Sequence, residues 1–148
     1  MARNSIRVQA TPDAVFDVLD DASAYPRWVL GTRRIRYVDP SWPAEGSRFH
    51  HAIGTFVAEL HDSTLVIARN RPESIDLEVR FRPTGVARVR ISVAAERSGT
   101  RVTLGGTPTK GLIRRFPRAL TDPLLTIRNA ISLRRFRHVV ESNANTEP

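Results

Sequence analysis

The chain of 148 residues contains no cysteine, only one methionine and only one lysine, Lys110. The absence of cysteine excludes disulfide bonds and thiolate chemistry. No run of about 18 apolar residues is present, so no segment is expected to span a membrane. No basic start followed by an apolar stretch lies near the N-terminus, so a secretory signal is not expected and a cytoplasmic protein is predicted.

The charges that are present are biased towards arginine and towards the C-terminal third. The formal net charge is +8, and residues 110–140 carry eight basic residues against one acid, Asp122. Such a surface attracts phosphates, nucleic acid or an anionic membrane. A solvated helix face is the simpler interpretation. Because no nucleic-acid reading motif accompanies the arginines, specific nucleic-acid binding is not expected, whereas a transient contact with an anionic membrane stays open.

The C-terminal third has the apolar spacing of one long helix. From Gly111 to about Val140, apolar residues recur at steps of three and four. Pro117 and Pro123 predict a break or kink before a straight section that starts near Asp122. The apolar positions are Ile113, Phe116, Leu120, Leu124, Ile127 and Ile131.

The rest of the chain favours one domain, 1–141, with a disordered polar tail, 142–148. Ser5–Ala10 alternates as a first strand, and Thr11-Pro12-Asp13 then gives the cap, proline and acid that begin a helix. A second short helix is predicted over Ala22–Arg27.

The middle of the chain alternates between apolar and polar residues, which predicts an antiparallel sheet with one dry face. A bulge or turn is predicted at Asp62-Ser63, and hairpin turns at Pro83-Thr84-Gly85 and Ser98-Gly99. The residues predicted to face inward are Ile35, Tyr37, Phe49, His51, Ile53, Phe56, Ala58, Leu60, Leu65, Ile67, Ile75, Leu77, Val79, Phe81, Ala87, Val89, Ile91, Val93, Val102 and Leu104.

The element order and several motifs resemble the polyketide cyclase/dehydrase and lipid-transport family of the START-like (SRPBCC) superfamily. The motifs are Tyr25–Gly31, Gly46–His51, Gly99–Leu104 and the pair Arg128-Asn129. The resemblance implies an α+β helix-grip (START/Bet v 1-like) fold. In that fold a curved antiparallel seven-stranded sheet surrounds a long C-terminal helix, and two short helices follow strand 1. One departure is Leu104–Pro108, which lacks the acid that many relatives carry after the last strand.

A long helix across a curved sheet encloses a space, so the sequence and the resemblance together predict a cavity for a hydrophobic or amphipathic small molecule. The alternative is that the inward side chains meet and fill the interior. The residues expected to line the cavity are Trp28, Val29, Ile35, Tyr37, Phe49, His51, Phe56, Leu60, Leu77, Val79, Phe81, Val89, Ile91, Leu120, Leu124, Ile127 and Arg128.

Two polar residues are candidates for chemistry in that cavity. His51 is in phase with Phe49 and is expected to point inward, where it could move a proton together with Tyr37. The alternative is a core histidine with satisfied hydrogen bonds. Arg128 could bind a ligand carboxylate or phosphate, or pair with a surface acid.

No metal or other cofactor is expected. His50 and His51 point to opposite faces of a strand, so they cannot hold one ion together. No serine lies in a nucleophile motif. The first hypothesis is binding or transport of a lipid or polyketide-like compound by a monomer or homodimer. The second is a polyketide cyclase, aromatase or dehydratase, and the third is a regulator that binds nucleic acid or membrane through its basic helix.

Overall fold

The computed structural model describes residues 2–30, 32–54, 59–81, 85–110, 115 and 117–146, and it shows one seven-stranded antiparallel sheet. The strand order is β1-β7-β6-β5-β4-β3-β2. This confirms the predicted helix-grip fold. In chain order the elements are β1 (Ala2–Val8), α1 (Pro12–Leu19), a 3₁₀ turn (Ala22–Ala24), α2 (Tyr25–Trp28), β2 (Thr32–Val38), β3 (Arg48–Gly54), β4 (Glu59–Asn70), β5 (Ser74–Phe81), β6 (Gly85–Glu96), β7 (Gly99–Lys110) and α3 (Arg118–Thr146).

Helix α1 begins where its sequence signals predict. The Thr11 side chain accepts a hydrogen bond from the Ala14 backbone N–H at 3.1 Å, and Pro12 occupies the first turn. Its apolar side packs into the core through Val15, Phe16, Val18 and Leu19, all of them buried.

Two arginines hold the C-terminal end of α1 to the β4–β5 connection. Arg69 donates to both carboxylate oxygens of Asp20, at 3.0 and 2.7 Å, and Arg71 donates to Asp20 Oδ2 at 2.6 Å. Arg71 also donates to Asp17 at 2.8 Å and lies over the Phe16 ring at 5.7 Å from its centroid. We call Asp20, Arg69 and Arg71 the α1 clamp.

Strand β4 runs unbroken from Glu59 to Asn70, so the bulge predicted at Asp62-Ser63 is not there. The register shift lies further along, between Val66 and Ala68. Phe56 and Ala58, predicted to belong to a strand, lie outside the described residues. The continuous strand places Asp62 directly opposite His51.

Helix α3 packs mainly against β1, with further contacts to α1, α2 and β7. It begins at Arg118, later than the predicted Gly111, and residues 111–114 lie outside the described part of the chain. Pro123, predicted to break or kink the helix, lies inside it. Within the described ranges, α3 and the shorter helices all lack the apolar length that crossing a membrane requires.

The C-terminal end of α3 also differs from the prediction. Residues 142–146, expected to be a disordered tail, continue the helix to Thr146. The preceding turn is anchored by buried Val140 and by Glu141, which accepts a hydrogen bond from the Gln9 backbone N–H at 2.7 Å. Extending an anchored helix fixes one residue for each hydrogen bond gained, so polar composition alone does not end it.

Candidate functional site

On the concave face of the sheet, which packs against the helices, side chains become less buried along β5 and β6. On β5, Ile75 and Leu77 are buried whereas Val79 is half-buried, and on β6 the same decline runs from Ile91 to Val89. We call the buried end, next to α1 and α2, the closed end. The open end is defined by the half-buried side chains of Ile35, Val79 and Val89.

The closed end is filled by aromatic side chains. Tyr25 contacts Trp28 at 5.0 Å and Phe49 at 4.9 Å between ring centroids, and Trp28 contacts Phe136 at 4.9 Å. The narrow apolar recess that remains is too small to admit a water molecule. Ligand pockets usually measure roughly 300–1,000 Å³, so this recess is too small for a lipid or polyketide. The recess is lined by Leu19, Trp28, Ile91, Val102, Leu104, Leu133 and Phe136.

His51 is a buried polar group on the concave face. Its side chain faces inward as predicted, with the residue 2% exposed, and Nε2 lies 3.2 Å from Thr64 Oγ1. Nδ1 is buried and makes no hydrogen bond to any described residue. Burial lowers the pKa of His51 below 6.5, against the opposing effects of the Ser63 backbone and the Asp62 carboxylate. The imidazole is therefore neutral at pH 7, and Nδ1 is the nitrogen without a hydrogen-bond partner among the described residues.

Sequence reasoning missed other polar groups on this face. Asp62 and Thr64 lie opposite His51 and Phe49 in the β3–β4 register, and directly opposed residues share a face. The predicted bulge at Asp62-Ser63 leaves both of them without an inward assignment. Continuing the alternation from Leu60 would have placed them inward. On β1, the buried Oδ1 of Asn4 has no hydrogen-bond partner among the described residues.

Tyr37 faces the opposite side of the sheet from His51, so the predicted inward orientation of Tyr37 is wrong. The β2–β3 register shifts between Ile35 and Tyr37, which pairs Ile35 with His51 and Tyr37 with His50. The Tyr37 and His50 rings lie 5.8 Å apart, and Tyr37 is 55% exposed. A bulge inserts one residue and therefore reverses the faces that follow it. The two candidates for proton transfer are not brought together.

Three α3 residues expected to line the cavity, Leu124, Ile127 and Arg128, are not on its buried face. Leu124 is 69% exposed and Ile127 is 59% exposed. Arg128 is exposed as well, and it forms no hydrogen bond or ion pair with a described residue. Partial desolvation of its guanidinium lowers the pKa of Arg128. The face of α3 that packs on the core consists of Asn129, Ser132, Leu133, Phe136, Val139 and Val140.

The remaining predicted lining residues divide into two groups. Trp28, Phe49, Leu77 and Ile91 are core side chains, while Val29 and Ile35 are half-buried against that core. Phe56 lies outside the described residues, as do the side chains of Leu60, Phe81 and Leu120. Among the side chains that are described, no three His, Asp or Glu residues gather in a way that could hold a metal ion.

Solved structures share this fold at low sequence identity. A protein of unknown function from Staphylococcus aureus, SA2116, matches with a TM-score of 0.75 and 10% identity, over 98% of this chain and 95% of that one. The protein Ara h 8.0201 matches with a TM-score of 0.73 and 12% identity, over 95% and 96% of the two chains. At such identities the likeness establishes the fold alone.

A third structure is a di-domain ARO/CYC, StfQ, from the steffimycin biosynthetic pathway. It matches with a TM-score of 0.72 and 12% identity, over 97% of this chain and 51% of that one. No curated protein sequence matches the chain. The model of the family described as polyketide cyclase/dehydrase and lipid transport matches residues 2–141. With the whole described sheet and most of α3 inside that match, the chain belongs to the polyketide cyclase/dehydrase and lipid-transport family.

Proposed function

We propose that the protein binds a hydrophobic or amphipathic small molecule, such as a lipid or a polyketide-like compound, at the open end of the concave face. The observation that carries this proposal is the combination of half-buried Val79 and Val89 with the buried imidazole of His51, whose Nδ1 has no partner in the described part of the chain. An apolar wall with a few polar anchors is the usual make-up of a small-molecule site.

Family membership and one structural neighbour support this ligand class. The family description names both polyketide chemistry and lipid transport, and StfQ is an ARO/CYC of a biosynthetic pathway. The closed end has no room for a ligand. The ligand is therefore expected to contact Val79, Val89 and Ile35 and to place a hydroxyl or carbonyl oxygen against His51.

A second candidate function is chemistry of the cyclase, aromatase or dehydratase type. The observation that favours it is the lowered pKa of His51, which keeps a buried imidazole neutral and able to accept a proton at pH 7. Asp62 lies opposite it on the same face. Tyr37 takes no part in this version, because it lies on the other face of the sheet.

Adjacent residues on β6 provide a matched test of the binding site. Val89→Trp fills the open end, whereas Arg88→Trp adds the same ring to the exposed outer face. We expect the first variant, and not the second, to weaken binding of the apolar probe 1-anilinonaphthalene-8-sulfonate at least about tenfold, which corresponds to about 1.4 kcal/mol. Circular dichroism verifies that both variants fold. Equal affinity in the two variants would show that the probe binds elsewhere, and the proposal would fail.

The His51→Gln variant separates binding from catalysis. Native mass spectrometry and solvent extraction of the purified protein identify a co-purified ligand, which then serves in both assays. If the protein only binds, the variant lowers affinity by about fivefold to tenfold, the value of one hydrogen bond, and no product forms with either protein. If it is an enzyme, the wild-type protein converts the compound and the variant loses turnover while it retains the ligand.

A further inference from the structure

Helix α3 carries a second apolar stripe that faces solvent. Leu124 and Ile127 are more than half exposed, and Ile131 is half-buried. At about 100° per residue, these three positions lie roughly 150° around the helix axis from the face that packs on the core. We call Leu124, Ile127 and Ile131 the outer stripe. Exposed aliphatic residues grouped in this way on a helix indicate a binding surface.

The arginines around the outer stripe have no acidic partners among the described residues. Arg128, Arg134, Arg135 and Arg137 are exposed, and none forms an ion pair with a described residue. No acid occurs between Pro123 and Val140. The sheet differs in this respect, since several arginines on its strands and turns pair with carboxylates: Arg69 and Arg71 with Asp20, Arg7 and Arg101 with Glu96, and Arg88 and Arg90 with Asp76.

The positive charge around the outer stripe indicates which kind of partner can bind there. A second copy of the chain, packed stripe to stripe, would bring arginines against arginines without acids to offset them. A neutral small molecule would cover the stripe and leave the cations unused. An anionic lipid surface both covers the apolar stripe and supplies negative charge, because aliphatic side chains enter the headgroup boundary while arginines contact phosphates.

We propose that the outer stripe and its flanking arginines dock the protein onto an anionic lipid bilayer. This docking does not depend on the ligand proposed for the open end. Three aliphatic side chains, one of them half-buried, and four arginines give a weak, reversible contact, because each arginine near an anionic surface contributes about fivefold in affinity. Binding is therefore expected to fall steeply as the salt concentration rises.

Co-sedimentation with phosphatidylcholine vesicles containing about 30 mol% phosphatidylserine tests the proposal. The double variant Arg134→Gln/Arg135→Gln removes two positive charges from α3. Its control, Arg88→Gln/Arg90→Gln, removes two positive charges from the sheet, so the net charge of the two variants is the same. We expect the α3 pair to lower vesicle binding by tenfold or more and the sheet pair to lower it by less than about threefold. Leu124→Ser/Ile127→Ser, at exposed positions, should lower binding without loss of folding.

Three results would overturn the proposal. Equal losses in the two arginine pairs would mean that net charge alone attracts the vesicles. Undiminished binding of Leu124→Ser/Ile127→Ser would exclude the stripe. Sedimentation velocity that shows a dimer abolished by Leu124→Ser/Ile127→Ser, together with no vesicle binding, would assign the stripe to a second copy of the chain.

Discussion

The α1 clamp predicts a large loss of stability from the isosteric change Asp20→Asn. The Asp20 side chain is 16% exposed and accepts three hydrogen bonds from Arg69 and Arg71, at 2.6–3.0 Å. The amide keeps one acceptor oxygen but replaces the other by a donor, and it removes the charge that two guanidinium groups share. Hydrogen bonds to charged groups contribute about 1.5–3 kcal/mol each, and both arginines can partly rehydrate. We therefore expect a loss of about 2–3 kcal/mol in the free energy of unfolding.

The matched control is Asp17→Asn on the same helix. Asp17 is 63% exposed and forms its hydrogen bond to Arg71 at the surface, so its loss should cost less than about 1 kcal/mol and should vanish in high salt. Urea unfolding followed by circular dichroism measures both values. The reasoning about burial is refuted if Asp20→Asn costs no more than Asp17→Asn, or if about 0.5 M salt abolishes the effect of Asp20→Asn.

Three further predictions concern the core and one turn. Trp28→Ala should lower the free energy of unfolding by about 3–5 kcal/mol, and a loss under about 1 kcal/mol in chemical denaturation would contradict the filled closed end. Because the pKa of His51 is lowered in the folded protein, the unfolded chain binds more protons below pH 6.5, and the free energy of unfolding falls as the pH drops there. His51→Gln should make this pH dependence less steep in urea titrations. An unchanged pH dependence would refute the prediction. Gly99→Ala should cost at least about 2 kcal/mol in thermal or urea unfolding, since φ is +138° and a Cβ would overlap the Val8 carbonyl oxygen; a near-neutral change would contradict that contact.

The strands from β5 to β7 could be predicted because their burial repeats with the period of the strand. Ile75, Leu77 and Val79 all face inward, and the turn at Ser98-Gly99 fixes the pairing of β6 with β7. Thr11-Pro12 likewise fixed the beginning of α1, because a cap acts through neighbours in sequence. Local signals and the two-residue alternation are therefore sufficient for these elements.

The site was less predictable for physical reasons that differ from residue to residue. A bulge next to Arg36 turns Tyr37 outward, and alternation cannot reveal a single inserted residue. Leu124 and Ile127 have helical spacing, but spacing does not show which of two apolar stripes meets the sheet. The face of α3 that packs on the core contains Asn129 and Ser132, and these polar residues interrupt the apolar spacing by which a core face is predicted. Ser132 can be buried there because its hydroxyl oxygen accepts a hydrogen bond from the Leu30 backbone N–H at 3.1 Å.

The pairing of β1 with β7 has a consequence for the order of folding. Ala2 pairs with Gly106 and Val8 with Thr100, so the first strand bonds to one that is made about a hundred residues later. Strands β2 to β7 form successive hairpins whose ends lie close in sequence, and they can assemble without it. Closing the longest loop of the sheet is therefore expected to be a late and slow step, because the chain loses conformational entropy before any contact between β1 and β7 forms. Until then the nascent chain exposes the inner side of β1 and the edge of β7, and this interval is when aggregation competes with folding.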